Sequence, residues 1–86
     1  MRQYRPLYSD VVAELVLKLP RRRQRKLVDT CNQLARNPFV KSDYIVKDAD
    51  DRDIEHILID EFVVAYWVDH AVCKVMIVEV DDIRAA

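Results

Sequence analysis

Residues 52–80 constrain the fold more than any other stretch of the chain. They run Arg52-Asp-Ile-Glu-His-Ile-Leu-Ile-Asp-Glu-Phe-Val-Val-Ala-Tyr-Trp-Val-Asp-His-Ala-Val-Cys-Lys-Val-Met-Ile-Val-Glu-Val80. Three segments rich in β-branched and aromatic residues are separated by two short polar breaks, Asp60-Glu61 and Asp69-His70-Ala71. Breaks this short can only reverse the chain, so the segments are expected to form an antiparallel meander. The chain has 86 residues and is expected to form a single domain, residues 1–86. A domain of this size buries about 60–65% of the surface its unfolded chain exposes, enough for one two-layer core.

The chain has no glycine. Gly-rich phosphate loops and dinucleotide fingerprints are therefore excluded, and the same lack argues against an active site built on backbone amides. Turns must use Asp, Asn, His or Pro, which tolerate a left-handed conformation or preset the backbone. The longest uncharged apolar run, Phe62 to Val68, is far short of the ~20 residues of a membrane span, so no membrane is expected. The N-terminus lacks a charged region followed by an apolar core, so no signal peptide is expected. Cys31 and Cys73 read as reduced thiols of a cytoplasmic protein.

Ahead of the meander the pattern is helical. Residues 3–8 read as a short strand that Pro6 confines to a sheet edge. Ser9 is a helix N-cap with Asp10 in the first turn. Val11, Val12, Leu15, Val16 and Leu19 follow at helical spacing, and Ala13 and Leu17 make the helix apolar almost all round. Such a helix is buried on more than one side or awaits a partner. Leu19-Pro20 breaks it, and a second helix is expected from about Pro20 to Arg36, with Leu27, Val28, Cys31, Leu34 and Ala35 facing the core. Asn37-Pro38 ends it. The break is short enough to require an antiparallel helical hairpin. A strand at Tyr44–Asp48 precedes the acidic turn Ala49–Asp53 and the meander. The expected fold is α+β, β-α-α-β-β-β(-β), with the hairpin on one face of a small, mostly antiparallel twisted sheet.

Two features point to a partner. The helical hairpin covers one sheet face, yet the strands are apolar on both. Phe62, Val64, Tyr66 and Val68 alternate with Val63, Ala65 and Trp67, and Met76, Val78 and Val80 with Val75 and Ile77. A face left partly apolar marks a binding surface, unless chain ends and loops cover it. Charge is also divided. Residues 1–41 hold ten Lys/Arg and three Asp/Glu; residues 42–86 hold four and twelve. This fits a surface for nucleic acid or another charged partner, and equally two halves that attract each other or merely solvate the outside. Arg21, Arg22, Arg23, Arg25 and Lys26 crowd the start of the second helix, where the helix dipole already places positive charge, so the cluster is expected to meet an anion or an acidic surface.

Several pieces in order carry a family resemblance: Tyr4 in the first strand, the Leu19-Pro20 break, Arg23 and Leu27, Leu34-Ala-Arg-Asn-Pro38, Asp51-Arg52, Tyr66-Trp-Val-Asp-His70 and Val75-Met-Ile. Across nearly its whole length the chain resembles the RelE/ParE superfamily, the toxins of type II toxin–antitoxin modules. The resemblance implies a helical hairpin on a curved, mostly antiparallel sheet, and an intracellular toxin neutralised by a cognate antitoxin. RelE-like members cleave mRNA on the ribosome with basic residues and a C-terminal tyrosine, or a Glu/His pair. ParE-like members bind and poison DNA gyrase without such a set.

Carried over by residue, the nuclease set is depleted. The family's nucleases place an arginine where this chain has Val63, three residues before Tyr66. The end of the last strand reads Val80-Asp-Asp-Ile-Arg-Ala-Ala86, in which Arg84 is the one base and Asp81 and Asp82 repel phosphate. An enzymatic reading falls to Lys47, Arg52, His56 and Arg84, with His56 as a base. Because His56 alternates in phase with Ile54 and Leu58, a structural histidine is the competing reading, and alternation sends Glu55 to the opposite face. The binding reading falls to Arg21, Arg22, Arg23, Arg25 and Lys26, to Val12, Leu15 and Val16 on the first helix, and to Trp67. Tyr66 and Trp67 point to opposite faces and form no shared base-stacking platform. Asp69, His70 and Cys73 lie on a turn without a fourth ligand, so no metal is expected, nor any cofactor. The expected function is a toxin that binds a protein target such as gyrase. The alternatives are a ribosome-dependent mRNA endonuclease with a diverged site and a non-toxic binding module. Without antitoxin the chain is expected to self-associate.

Overall fold

A computed structural model describes residues 3–83. Its elements are β1 (Arg5–Tyr8), α1 (Asp10–Lys18), α2 (Arg21–Arg36), β2 (Tyr44–Lys47), β3 (Asp53–Ile59), β4 (Phe62–Asp69) and β5 (Lys74–Asp82). The five strands form one sheet in the order β1-β5-β4-β3-β2. The meander β2-β3-β4-β5 is antiparallel throughout, and β1 adds to β5 in parallel. The fold is α+β, with Pro6 in an edge strand as the sequence requires.

Local chemistry sets the helix limits. Ser9 caps α1: its Oγ accepts the Val12 amide at 3.2 Å and donates to the Val78 carbonyl at 3.1 Å, tying the helix start to β5. Leu19 is extended before Pro20, which becomes the N-cap of α2. Gln24 Nε2 donates to the Val16 carbonyl at 3.0 Å across the break, adding a second donor to a carbonyl at the α1 C-terminus that also accepts the Leu19 amide at 3.3 Å.

The core lies between the helices and one sheet face. Leu27, Cys31, Leu34 and Ala35 of α2 and Val12 of α1 pack on Phe62, Val64 and Tyr66 of the central strand, Ile57 of β3, and Val75, Ile77 and Val80 of β5. Thr30 is buried among them and donates to Asp60 Oδ2 at 3.2 Å. Val28, expected in the core stripe, is half-buried at its border.

Three expectations change. A register shift between Ala65 and Tyr66 pairs Ala65 with Glu79 but Tyr66 with Ile77. The extra residue reverses the alternation of β5, so Val80 joins Val75 and Ile77 in the core instead of sharing a face with Met76. The second meander turn is longer than Asp69-His70-Ala71 and spans residues 70–73, with Cys73 at φ 55. For α1 the alternative of burial on more than one side falls: Val12 alone is buried, Leu15 and Val16 are half-buried, and Val11 and Leu17 are 67% and 78% exposed. Without glycine, the left-handed backbone positions fall to Asp51, Asp60 and Cys73.

Tyr66 is fully buried and its hydroxyl has no hydrogen-bond partner among the described residues. Burial, then the carboxylates of Glu55 and Asp43, push its pKa up to about 12 from 10.0. Above pH 10 the unfolded chain releases this proton while the folded chain keeps it, so the contribution to stability present below that pH is lost between about 10 and about 12. Cys31 shifts the same way, to about 11, chiefly by burial, with its hydrogen bond to Tyr8 pulling back. Tyr66→Phe removes an orphan hydroxyl without opening a cavity. Urea denaturation is expected to show unchanged stability at neutral pH or a gain of up to ~2 kcal/mol, and a shallower decline above pH 10; a loss of stability at pH 7 would show that the hydroxyl is satisfied.

Candidate functional site on the open face of the sheet

Strand alternation sends one set of side chains away from the helices. In β3 these are Ile54, His56 and Leu58, opposite Tyr44 and Val46 of β2 on one side and Val63, Ala65 and Trp67 of β4 on the other. Past the register shift, Glu79 lies beside Ala65 and Asp81 beside Val63. An open hollow of about 340 Å³ sits here, walled by Lys47, Arg52, His56, Trp67 and Glu79, with Ile54 and Ala65 also lining it.

The hollow is built from paired groups. The Arg52 guanidinium lies 4.2 Å from the centre of the Trp67 ring, a cation–π contact that fixes both side chains. The His56 ring stacks on Tyr44 at 4.6 Å and 13°. His56 Nδ1 is 3.1 Å from the Ile54 carbonyl, which can only accept, so Nδ1 carries the proton and Nε2 is left as the acceptor of the neutral ring. Lys47 Nζ is 2.7 Å from Asp53 Oδ1 and 3.9 Å from Asp51. Asp48 Oδ1 accepts the amides of Asp50 and Arg52, which shapes the β2–β3 turn and aims Arg52 over the sheet.

The structure thus brings together Lys47, Arg52, His56 and Trp67; Arg84 lies outside the described residues. Glu55 is on the helix face, in register with Tyr66, and so cannot assist His56. Tyr44 and Glu79 were not singled out from the sequence. Tyr44 had a signal: a hairpin centred on Asp50 sets residue 44 opposite residue 56. Glu79 had none, because its placement depends on the β5 irregularity.

The basic cluster divides. Arg23 pairs with both Glu61 and Asp82 and lies over the Phe62 ring at 4.9 Å. Lys26 Nζ reaches Glu61 at 3.5 Å. The acidic surface expected at the start of α2 is therefore, for these two, the chain's own β3–β4 turn and the end of β5. Arg21, Arg22 and Arg25 remain exposed. Of the apolar candidates on α1, Val12 is fully buried and closed to any partner, while Leu15 and Val16 pack on the core from its rim. The exposed large apolar residues of α1 are Val11 and Leu17. Asp69, His70 and Cys73 are occupied otherwise: Asp69 Oδ1 accepts the Ala71 amide, and His70 Nδ1 meets the Tyr4 hydroxyl at 2.8 Å while its ring stacks on Phe39. Among the described residues, no group of three or more His, Cys, Asp and Glu is placed to hold a metal ion, and no helix is long and apolar enough to cross a membrane.

No protein-family model matches the sequence, and no curated protein does. Solved structures do match. One is a chain of the archaeal RelE–RelB complex from Pyrococcus horikoshii, with a TM-score of 0.69 and 17% identity over 99% of this chain and 100% of that one. Another is a chain of the toxin–antitoxin complex RelBE2 from Mycobacterium tuberculosis, with a TM-score of 0.73 and 19% identity over 94% and 99%. The chain has a RelE-like fold. On the RelE fold, the two helices and five-stranded mixed sheet seen here recur nearly end to end at an identity too low to carry over a site.

The Arg23 clamp makes a measurable distinction within the basic cluster. Arg23→Gln removes the cation shared by Glu61 and the largely buried Asp82 carboxylate and is expected to cost about 2 kcal/mol in urea unfolding. Arg21→Gln, Arg22→Gln and Arg25→Gln are each expected to stay within about 0.5 kcal/mol of wild type. Equal effects at all four positions would show that Arg23 is as solvated as its neighbours.

Proposed function

We propose that this chain is the toxin of a type II toxin–antitoxin module, held inactive in the cytoplasm by a cognate antitoxin, and that it arrests growth by binding a protein target, DNA gyrase first among the candidates. The toxin part rests on the fold, because the solved structures it matches are components of RelE–RelB and RelBE2 complexes. The binding part rests on one observation. The cross-strand rows in the middle of the open face read Leu58–Val63–Asp81 and His56–Ala65–Glu79, each with an apolar residue at its centre and a carboxylate at its β5 end. Phosphate recognition needs uncommitted cations, and stabilising a phosphorane needs them at the reacting centre. Here Lys47 is held by Asp53, Arg52 lies over Trp67, and two carboxylates stand in the same rows. An apolar, partly acidic sheet face suits a protein.

A second reading, a ribosome-dependent mRNA endonuclease, draws on the convergence of Lys47, Arg52 and His56 round one hollow with Nε2 of His56 available as a base.

Induced expression separates the two. Under the binding reading, growth stops while mRNA stays intact at ribosomal A sites, and gyrase supercoiling falls on addition of purified protein. Arg52→Ala and His56→Ala then retain toxicity within a few-fold, whereas Val63→Glu abolishes it by burying a charge in the contact face. Cleavage at ribosomal A sites, lost in Arg52→Ala, would replace this reading with the nuclease. Unimpaired growth with soluble protein present would leave a non-toxic binding module of the same fold.

A further inference from the structure

The sheet ends in two unlike edges. β1 carries Pro6, which cannot donate to a further strand, beside Arg5. β2 carries Tyr44-Ile45-Val46-Lys47, with no proline, all four residues exposed, and Tyr44, Ile45 and Val46 at 53%, 55% and 50%. Three consecutive strand-forming apolar residues on an outer edge form a template for pairing. A lysine commonly blunts such an edge, but here Asp53, directly across on β3, draws Lys47 inward.

We propose that the β2 edge pairs with β2 of a second copy, antiparallel about a two-fold axis, to make a continuous ten-stranded sheet with the helices of both copies on one side. The axis requires opposed residues to share a face, so the two residue numbers of each pair sum to an even value. Setting Ile45 on Ile45 places Tyr44 on Val46 of the second copy, twice. It also places Lys47 on Asp43 of the second copy, just before that copy's β2, twice; Asp43 Oδ2 accepts the Leu58 amide at 2.7 Å, and Oδ1 would extend a row Asp53–Lys47–Asp43 across the junction. Sliding two residues one way sets Lys47 against Lys41 of the second copy. Sliding the other way sets Lys47 against Ile45 and Tyr44 against Asp48. Only the first register matches charge and apolar surface together, and it does so with the edge's own complement, which favours a second copy over a foreign strand. Both open faces then join across the seam. With four strand residues a side the interface is small, and the dimer is weak and concentration-dependent, in the range of contacts below about 1,200 Å². This inference stands independently of the toxin reading.

The full chain is examined by sedimentation equilibrium from dilute to concentrated solution, with circular dichroism as the check on folding. A monomer–dimer equilibrium is expected in the wild type. Lys47→Glu, which faces Asp43 with a like charge at both ends, is expected to weaken it about tenfold or more. The Asp43→Lys/Lys47→Glu exchange is expected to restore it. Register is read by oxidation in a Cys73→Ser background, Cys31 being buried. Ile45→Cys is expected to cross-link to itself, since opposed residues lie about 4.5–5.5 Å apart at Cα, within disulfide reach. Val46→Cys and the exposed helical control Leu17→Cys are expected to remain monomeric. A wild type that stays monomeric throughout would overturn the proposal. So would a dimer indifferent to Lys47→Glu, or cross-linking at Leu17→Cys as fast as at Ile45→Cys.

Discussion

Two helices of nine and sixteen residues cover one face of a five-stranded sheet, and nothing in the described chain covers the other. That constraint organises the molecule. The covered face takes the close-packed residues: Phe62, Val64 and Tyr66 of the central strand under Leu27, Cys31 and Leu34. The uncovered face must hold apolar residues in water, and it does so by pairing them with polar neighbours. Trp67 is roofed by Arg52, and Ile54 and Ala65 are nearly buried beneath such side chains. The hollow follows from this arrangement, because side chains braced against one another leave a gap where β5 departs from regular alternation.

The division of charge along the sequence acquires a concrete meaning. The positive N-terminal half and the acidic C-terminal half meet at one end of the core. There Arg23 spans Glu61 of the β3–β4 turn and Asp82 of β5, and Thr30 reaches Asp60 of the same turn. α2 is thereby locked to the sheet by polar contacts at its start and apolar ones along its length. Its first turn has no side-chain cap and no acidic residue, and carboxylates from the sheet compensate the crowded positive charge at that end. The attraction is partial. Arg21, Arg22 and Arg25 stay in solvent, which leaves a basic patch on the helix side of a molecule whose open face is partly acidic.

What was legible in the sequence was mostly local. Ser9, Leu19-Pro20 and Asn37-Pro38 act through their own backbone neighbourhood, so the helices fall where these residues dictate. The meander was legible because alternation and turn length are properties of contiguous residues. Alternation also separated Glu55 from His56 and Tyr66 from Trp67, whereas the meeting of Lys47, Arg52, His56 and Trp67 around one hollow depends on the folded sheet. The rest depended on long-range geometry. An extra residue in β5 moved Val80 into the core and Glu79 beside Ala65, and no local signature marks it. Whether an apolar helical residue is buried or bare depends on what stands opposite. Val12 meets β5 and disappears, while Val11 and Leu17, just as apolar, face water. Arg23 and Arg22 are neighbours in one helix, and only the position of Glu61 and Asp82 distinguishes them.

The parallel pairing of β1 with β5 sets an order on events as the chain is made. Arg5–Tyr8 lies against Lys74–Ile77, and Ser9 reaches across to Val78. A ribosome that has made residues 1–70 has produced β1 and both helices but none of the strand that seats them. Val12, Leu27 and Cys31 then have no Val75, Ile77 or Val80 to pack on, and the helical hairpin has half of its floor. Non-local pairing of this kind postpones closure of the core until the last strand is in reach. The nascent chain therefore passes a long interval with its apolar helix faces uncovered, and any activity that needs the finished sheet is withheld until β5 has been synthesised and has docked.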